Sequence, residues 1–179
     1  MKLVNGQWYS DFPPHGQGAV VLQGNTAVIA VTSSDRDILG GHAVIVAEWT
    51  QGQDVCFQRF DLIIPSGVLT IRSTDIEMNK DTNLQVPFNL YYRSWVVDPI
   101  KVVALRNAVN RFRTKVNGGR YEFNHQGGLI GRLTSGPGKR GVNCADFCVK
   151  VLTEAGVGHL VSGLFTTPVS LTGRRWQVV

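Results

Sequence analysis

Apolar positions in the first half of the chain fall into short runs broken by turn-forming pairs. Residues 19–23 (AVVLQ) and 26–32 (TAVIAVT) flank Gly24-Asn25, a pair suited to a tight hairpin turn. Two longer runs follow, 41–49 (GHAVIVAEW) and 55–64 (VCFQRFDLII), and Gln51-Gly52 between them predicts a second hairpin. Beyond Pro65, residues 68–72 and 90–97 read as further strands, with the polar stretch 73–83 between them as a loop.

The second half changes period. Asp98-Pro99 offers a cap and a first-turn proline, and Ile100, Val103, Ala104, Ala108 and Phe112 then recur at helical spacing until Gly118-Gly119. Six glycines and Pro137 between residues 127 and 141 predict a long flexible or tightly turning loop, with a substrate lid as an open question. A second helix starts at Asn143, a good N-cap. Asp146 lies in its first turn, Cys144, Cys148, Val151 and Leu152 form one stripe, and Gly156 stops it. Strands first and helices later predict an α+β chain, an antiparallel β-sheet or barrel packed against helices.

At 179 residues the chain fits one domain over 1–179. Its parts are N-terminal strands (1–39), a histidine-bearing hairpin (40–64), a helix (98–117) and a cysteine-bearing helix (142–156). Apolar residues make up 43%, charged residues 17%, and the mean hydropathy is −0.01, which disfavours disorder. The net charge of +5 permits an anionic partner, yet the basic residues are scattered, and a solvated basic face is the bland reading. Trp8, Trp49, Trp95 and Trp176 are far apart and do not interleave with basic residues, so sequence-specific nucleic-acid binding is not expected. No apolar stretch approaches a membrane span, and residues 1–18 do not read as a secretory signal. The expected location is cytoplasmic in the producing cell, or outside it by a signal-independent secretion system.

Three cysteines without a CxxC pair exclude a disulfide framework and a zinc knuckle, and no cofactor or metal is expected. Cys144 stands out because the first position of a helix offers orphan N–H groups and a positive dipole end, a setting that favours a thiolate. Its bland alternative is a small buried apolar residue, the reading preferred for Cys56 and Cys148. His42, at the head of an apolar strand, is the candidate general base. His125 is its competitor, and His15 and His159 read as surface residues. A two-residue turn at Gln51-Gly52 would set Glu48 opposite Val55, Val46 opposite Phe57, Val44 opposite Arg59 and His42 opposite Asp61. Asp61 would then share His42's face and orient its ring, whereas a slipped register would bring up Gln58 or Asp54.

Taken together, GGHAVIVAEW, a later RYEF, a glycine-rich approach, a helix opening NCADFCVKVLTEAGV and a closing TTPVSL resemble the circularly permuted branch of the papain-like, NlpC-type cysteine hydrolases. That branch includes lecithin retinol acyltransferase-like proteins and bacterial relatives. The likeness spans roughly residues 40–171 and is specific around His42 and Cys144. It implies a permuted papain-like fold, Cys144 as nucleophile, His42 as base and a polar orienter on the next strand. The expected activity is cleavage of an amide bond, with the Cys144 backbone N–H holding the oxyanion. Expected partners are a peptide or cell-wall (peptidoglycan) fragment as substrate and an immunity or inhibitor protein, in keeping with an antibacterial effector or toxin. Acyl transfer, thioester hydrolysis or deamidation by the same dyad are alternatives, as is an inactive binding module for an anionic polymer.

Overall fold

The computed structural model describes residues 1–34, 42–64, 68, 70–77, 90–158, 160, 167, 168 and 171. Its largest element is a five-stranded antiparallel sheet built from β4 (Ala27–Ser34), β5 (Ala43–Gln51), β6 (Asp54–Ile63), β7 (Thr70–Glu77) and β8 (Leu90–Val97). The spatial order is β7-β6-β5-β4-β8. A three-stranded sheet of β1 (Lys2–Val4), β2 (Gln7–Tyr9) and β3 (Val21–Leu22) precedes it, and the helices α1 (Ile100–Asn117), α2 (Gly128–Leu133) and α3 (Cys144–Glu154) follow. The α+β expectation is met, with antiparallel sheets packed on helices. Among the described residues the pairing ends at β7 and β8, with no strand joining these two edges.

Both faces of the central strand are covered, which explains why β5 is a continuous apolar run rather than an alternating one. On one face Ile29, Val31, Ile45, Phe60 and Leu62 pack against Leu105, Val109 and Phe112 of α1 and Cys148, Val151 and Leu152 of α3. On the other, Val28, Ala30, Val44, Val46, Phe57 and Tyr92 meet Phe12 and Leu22 beneath the N-terminal sheet. Helix α1 turns inward through Val102, Leu105, Ala108, Val109, Phe112 and Val116. Ile100 and Val103, expected on the inner face, are exposed. Three of the first four residues are apolar (Ile100, Val102 and Val103), so local periodicity alone does not choose the inner face and packing does.

Several further expectations are corrected. Gly24-Asn25 does form a turn, closed by Thr26 N–H to the Gln23 carbonyl at 2.6 Å. It joins strands of different sheets, however, because β3 pairs with β2 while β4 pairs with β5 and β8. Residues 73–77 of the expected 73–83 loop belong to β7, and the remainder of that loop lies outside the described residues. The glycine-rich stretch 127–141 is no open loop. It holds α2 and enters β10 (Arg140–Val142), which pairs in parallel with β9 (Tyr121–Phe123). Side chains pin it: Glu122 Oε1 accepts from Gly136 N–H at 2.7 Å, and Asn124 Nδ2 donates to Thr134 Oγ1 at 2.9 Å.

The hairpin register is two residues from the expected one. Gly52, at φ +66°, takes the first central place of a turn formed with Gln53. Val44 therefore faces Asp61, Val46 faces Arg59 and Glu48 faces Phe57. A slip of two preserves the side-chain face, so Asp61 remains on the face of residues 42, 44 and 46.

One carboxylate in this sheet has no role in the expected chemistry. Glu48 is fully buried, accepts from the Ser10 hydroxyl, and accepts from Asp11 N–H at 3.2 Å, which ties the N-terminal segment to the sheet. Burial pushes its carboxyl from 4.5 up to about 7, against the opposing pull of the Ser10 hydroxyl. A folded value above the unfolded one contributes stability that is complete below pH 4.5 and is lost as the pH rises through about 7. Glu48→Gln should flatten that loss, as read from urea unfolding midpoints across the same range.

Candidate functional site

Helix α3 begins where the sequence expects. Asn143 is its N-cap, its side chain accepting from Asp146 N–H at 2.8 Å, while Asp146 Oδ2 accepts from Asn143 N–H at 3.4 Å, a reciprocal capping box. Asp146 also accepts from Gly128 N–H at 3.0 Å, so the start of α2 is fastened to the start of α3. The approach is close enough that a Cβ on Gly127 would collide with the Asn143 side chain and with Asp146 Oδ2, and Gly127 sits at φ +54°. Three polar groups and one glycine thus fix the position of Cys144, the first residue of α3.

Cys144 is partly exposed, and its Sγ lies 3.4 Å from the donating N–H of Ala43, the first residue of β5. His42, just before that strand, completes the contact. Its Nε2 lies 3.9 Å from Asp61 Oδ2, within ion-pair range, and its ring is hydrogen-bonded to the Cys144 side chain. The imidazole is raised from 6.5 to about 9, first by Asp61 and then by Cys144, with burial pulling the other way. Cys148, one turn deeper, is fully buried, and burial pushes its thiol well above the ordinary range, so it is chemically quiet.

Asp61 is wholly buried. Its Oδ2 accepts from Arg59 Nε at 3.1 Å and lies 3.0 Å from Arg59 Nη2, so a guanidinium and an imidazole share one carboxylate oxygen. Arg59 was not singled out from the sequence. The available signal was its place two residues before Asp61, which puts the two on one face of a strand. Gln58, three residues before Asp61, faces the helices instead and accepts from Arg106 Nε at 2.6 Å. Asp54 sits at the turn end of the hairpin, paired with Gln51. Neither lies beside His42 as an orienter.

The other histidines fall elsewhere. His125 is exposed, its ring edge-on to Phe123 at 4.5 Å, and it serves the site only through its carbonyl, which accepts from Asn143 Nδ2 at 3.2 Å. His15 is exposed, and His159 lies outside the described residues. Cys56 pairs with Trp49 at the far end of the hairpin. Among the described residues no group of three His, Cys, Asp or Glu side chains could hold a metal ion, and no helix is long and apolar enough to cross a membrane.

No family model matches this chain, and neither a curated protein nor a solved structure matches it significantly. The site is therefore read from its own geometry.

Two outcomes follow from that geometry. His42 contributes stability that is complete below pH 6.5 and lost as the pH climbs through about 9. His42→Gln should remove this alkaline loss in urea unfolding. Arg59→Gln leaves the buried Asp61 without its guanidinium and should cost roughly 2–3 kcal/mol, less than a fully buried pair because solvent reaches Arg59. Denaturant titration of the two proteins at neutral pH measures it.

Proposed function

We propose that this protein is a thiol hydrolase of the permuted papain-like, NlpC-type kind, which cuts an amide bond in cell-wall peptides. The observation that carries the reading is the meeting of Cys144, His42 and Asp61 at the end of β5, with the thiol at a helix N-terminus. Nucleophile, base and orienter are the three parts that covalent acyl chemistry needs, and the order strand histidine before helix cysteine suits the permuted branch.

With Nε2 turned to Asp61, the other ring nitrogen is left for the thiol. A histidine raised to about 9 is basic enough to take the Cys144 proton, and the Ala43 N–H is directed at the sulfur that loses it. The thiolate attacks the amide carbonyl carbon, and the N–H of Cys144 donates to the developing oxyanion. His42 gives its proton to the leaving amine, then draws a proton from water as the acyl-enzyme is hydrolysed. Asp61 keeps the ring aligned and stabilises its charge.

Incubation with peptidoglycan fragments should release new amino groups, and Cys144→Ala should release none. A fully active Cys144→Ala protein overturns the reading. Iodoacetamide at neutral pH should label Cys144 far faster than an ordinary buried thiol and leave Cys148 untouched, as peptide mass mapping would show. A Cys144 that alkylates no faster than Cys148 points to an inactive binding module.

A further inference from the structure

Away from the thiol, four cations from four elements converge on one place. Lys150 lies midway along α3, Arg140 opens β10, Arg132 is in the last turn of α2 and Lys115 is in the last turn of α1. Tyr121 of β9 lies beside two of them, Arg140 and Lys150. It pairs with Arg140 across the parallel strands, lies 5.8 Å beneath the Lys150 ammonium, and is held flat by stacking on Phe112 at 4.7 Å.

Among the described residues one carboxylate opposes these four cations. Arg140 Nε is sealed from solvent and has no hydrogen-bond partner among the described residues, a costly state for a charged donor. Lys150 is half-buried, and its ammonium is pushed from 10.5 down to about 8 by burial, then by Arg140, Arg132 and Lys115. Asp146 is the carboxylate that opposes them, and its oxygens are engaged by Gly128 and Asn143 N–H.

We propose that Lys115, Arg132, Arg140 and Lys150 form a binding site for a phosphate group. Four positive charges against one occupied carboxylate call for more than a single negative charge, which a phosphate dianion supplies and a lone carboxylate does not. The guanidinium fork of Arg140 suits two phosphate oxygens, and Lys150 adds a point charge. The phosphate belongs either to a soluble ester or to a phospholipid headgroup. The site is independent of the thiol chemistry.

Thermal unfolding of the full chain tests it, with inorganic phosphate compared with chloride at equal ionic strength. Phosphate should raise the melting temperature of the wild type and of Cys144→Ala alike, so loss of the proposed hydrolase activity leaves this result standing. Arg140→Gln and Lys150→Gln should each abolish the rise, and without phosphate they should melt no earlier than the wild type because repulsion is relieved. If either fails to fold, the exposed Lys115→Gln and Arg132→Gln should still shrink the rise. Binding should weaken as the pH passes about 8, where Lys150 loses its proton. Vesicles of phosphatidylcholine with and without phosphatidic acid then distinguish the sources. Retention that needs phosphatidic acid and Arg140 assigns the phosphate to a lipid, and its absence beside a phosphate-induced rise assigns it to a soluble ester. No rise over chloride, or an equal rise in all four variants, overturns the proposal.

Discussion

A carboxylate with no access to solvent is the constraint around which the site is arranged. Asp61 lies inside the sheet, and its burial is tolerable only because opposite charge surrounds it: Arg59 from its own strand and His42 from the head of the next. That requirement fixes the register of β5 against β6, since a slip of one residue would turn Asp61 into the apolar layer shared with the helices. It also fixes His42, which is drawn to the carboxylate and becomes more basic as a result. The proposed base is thus a by-product of solving an electrostatic problem in the sheet.

The thiol is placed by different means. Cys144 owes its position to a cap, a second carboxylate and the close approach of Gly127, all on the helical side of the molecule. At the thiol the sheet side and the helix side meet through the Ala43 N–H and the His42 ring, both directed at the Cys144 side chain. The two halves of the site therefore have separate supports. A substitution in the capping box shifts the thiol without altering the tuning of His42 by Asp61, and one at Arg59 does the reverse.

Features governed by local rules could be read directly from the chain. The helix at Cys144, its Asn143 cap, the hairpin that carries His42 and the shared face of His42 and Asp61 all depend on short-range spacing. The face survived an incorrect register because side chains alternate with period two and the error was two residues. Features decided by tertiary packing were not legible. The inner face of α1 is chosen by the sheet beneath it, where local periodicity offered Ile100 and Val103 equally well. The order of residues 127–141 depends on Glu122 and Asn124 reaching across from β9, while the glycines there suggested looseness. Glu48 and Arg59 were missed for a related reason: the partner that explains each is fixed only once strands and N-terminal segment are assembled.

The contact between Ala43 and Cys144 joins positions 101 residues apart, and this separation governs when the site is assembled. During synthesis the histidine strand emerges first, and about a hundred residues follow before the cysteine leaves the ribosome. Contacts this distant in the chain form late, because the loop between them must close before any of them is rewarded. Until α3 docks on the finished sheet, Cys144 has neither the imidazole nor the Ala43 amide beside it. Topology thereby makes this site one of the last parts of the fold to be completed.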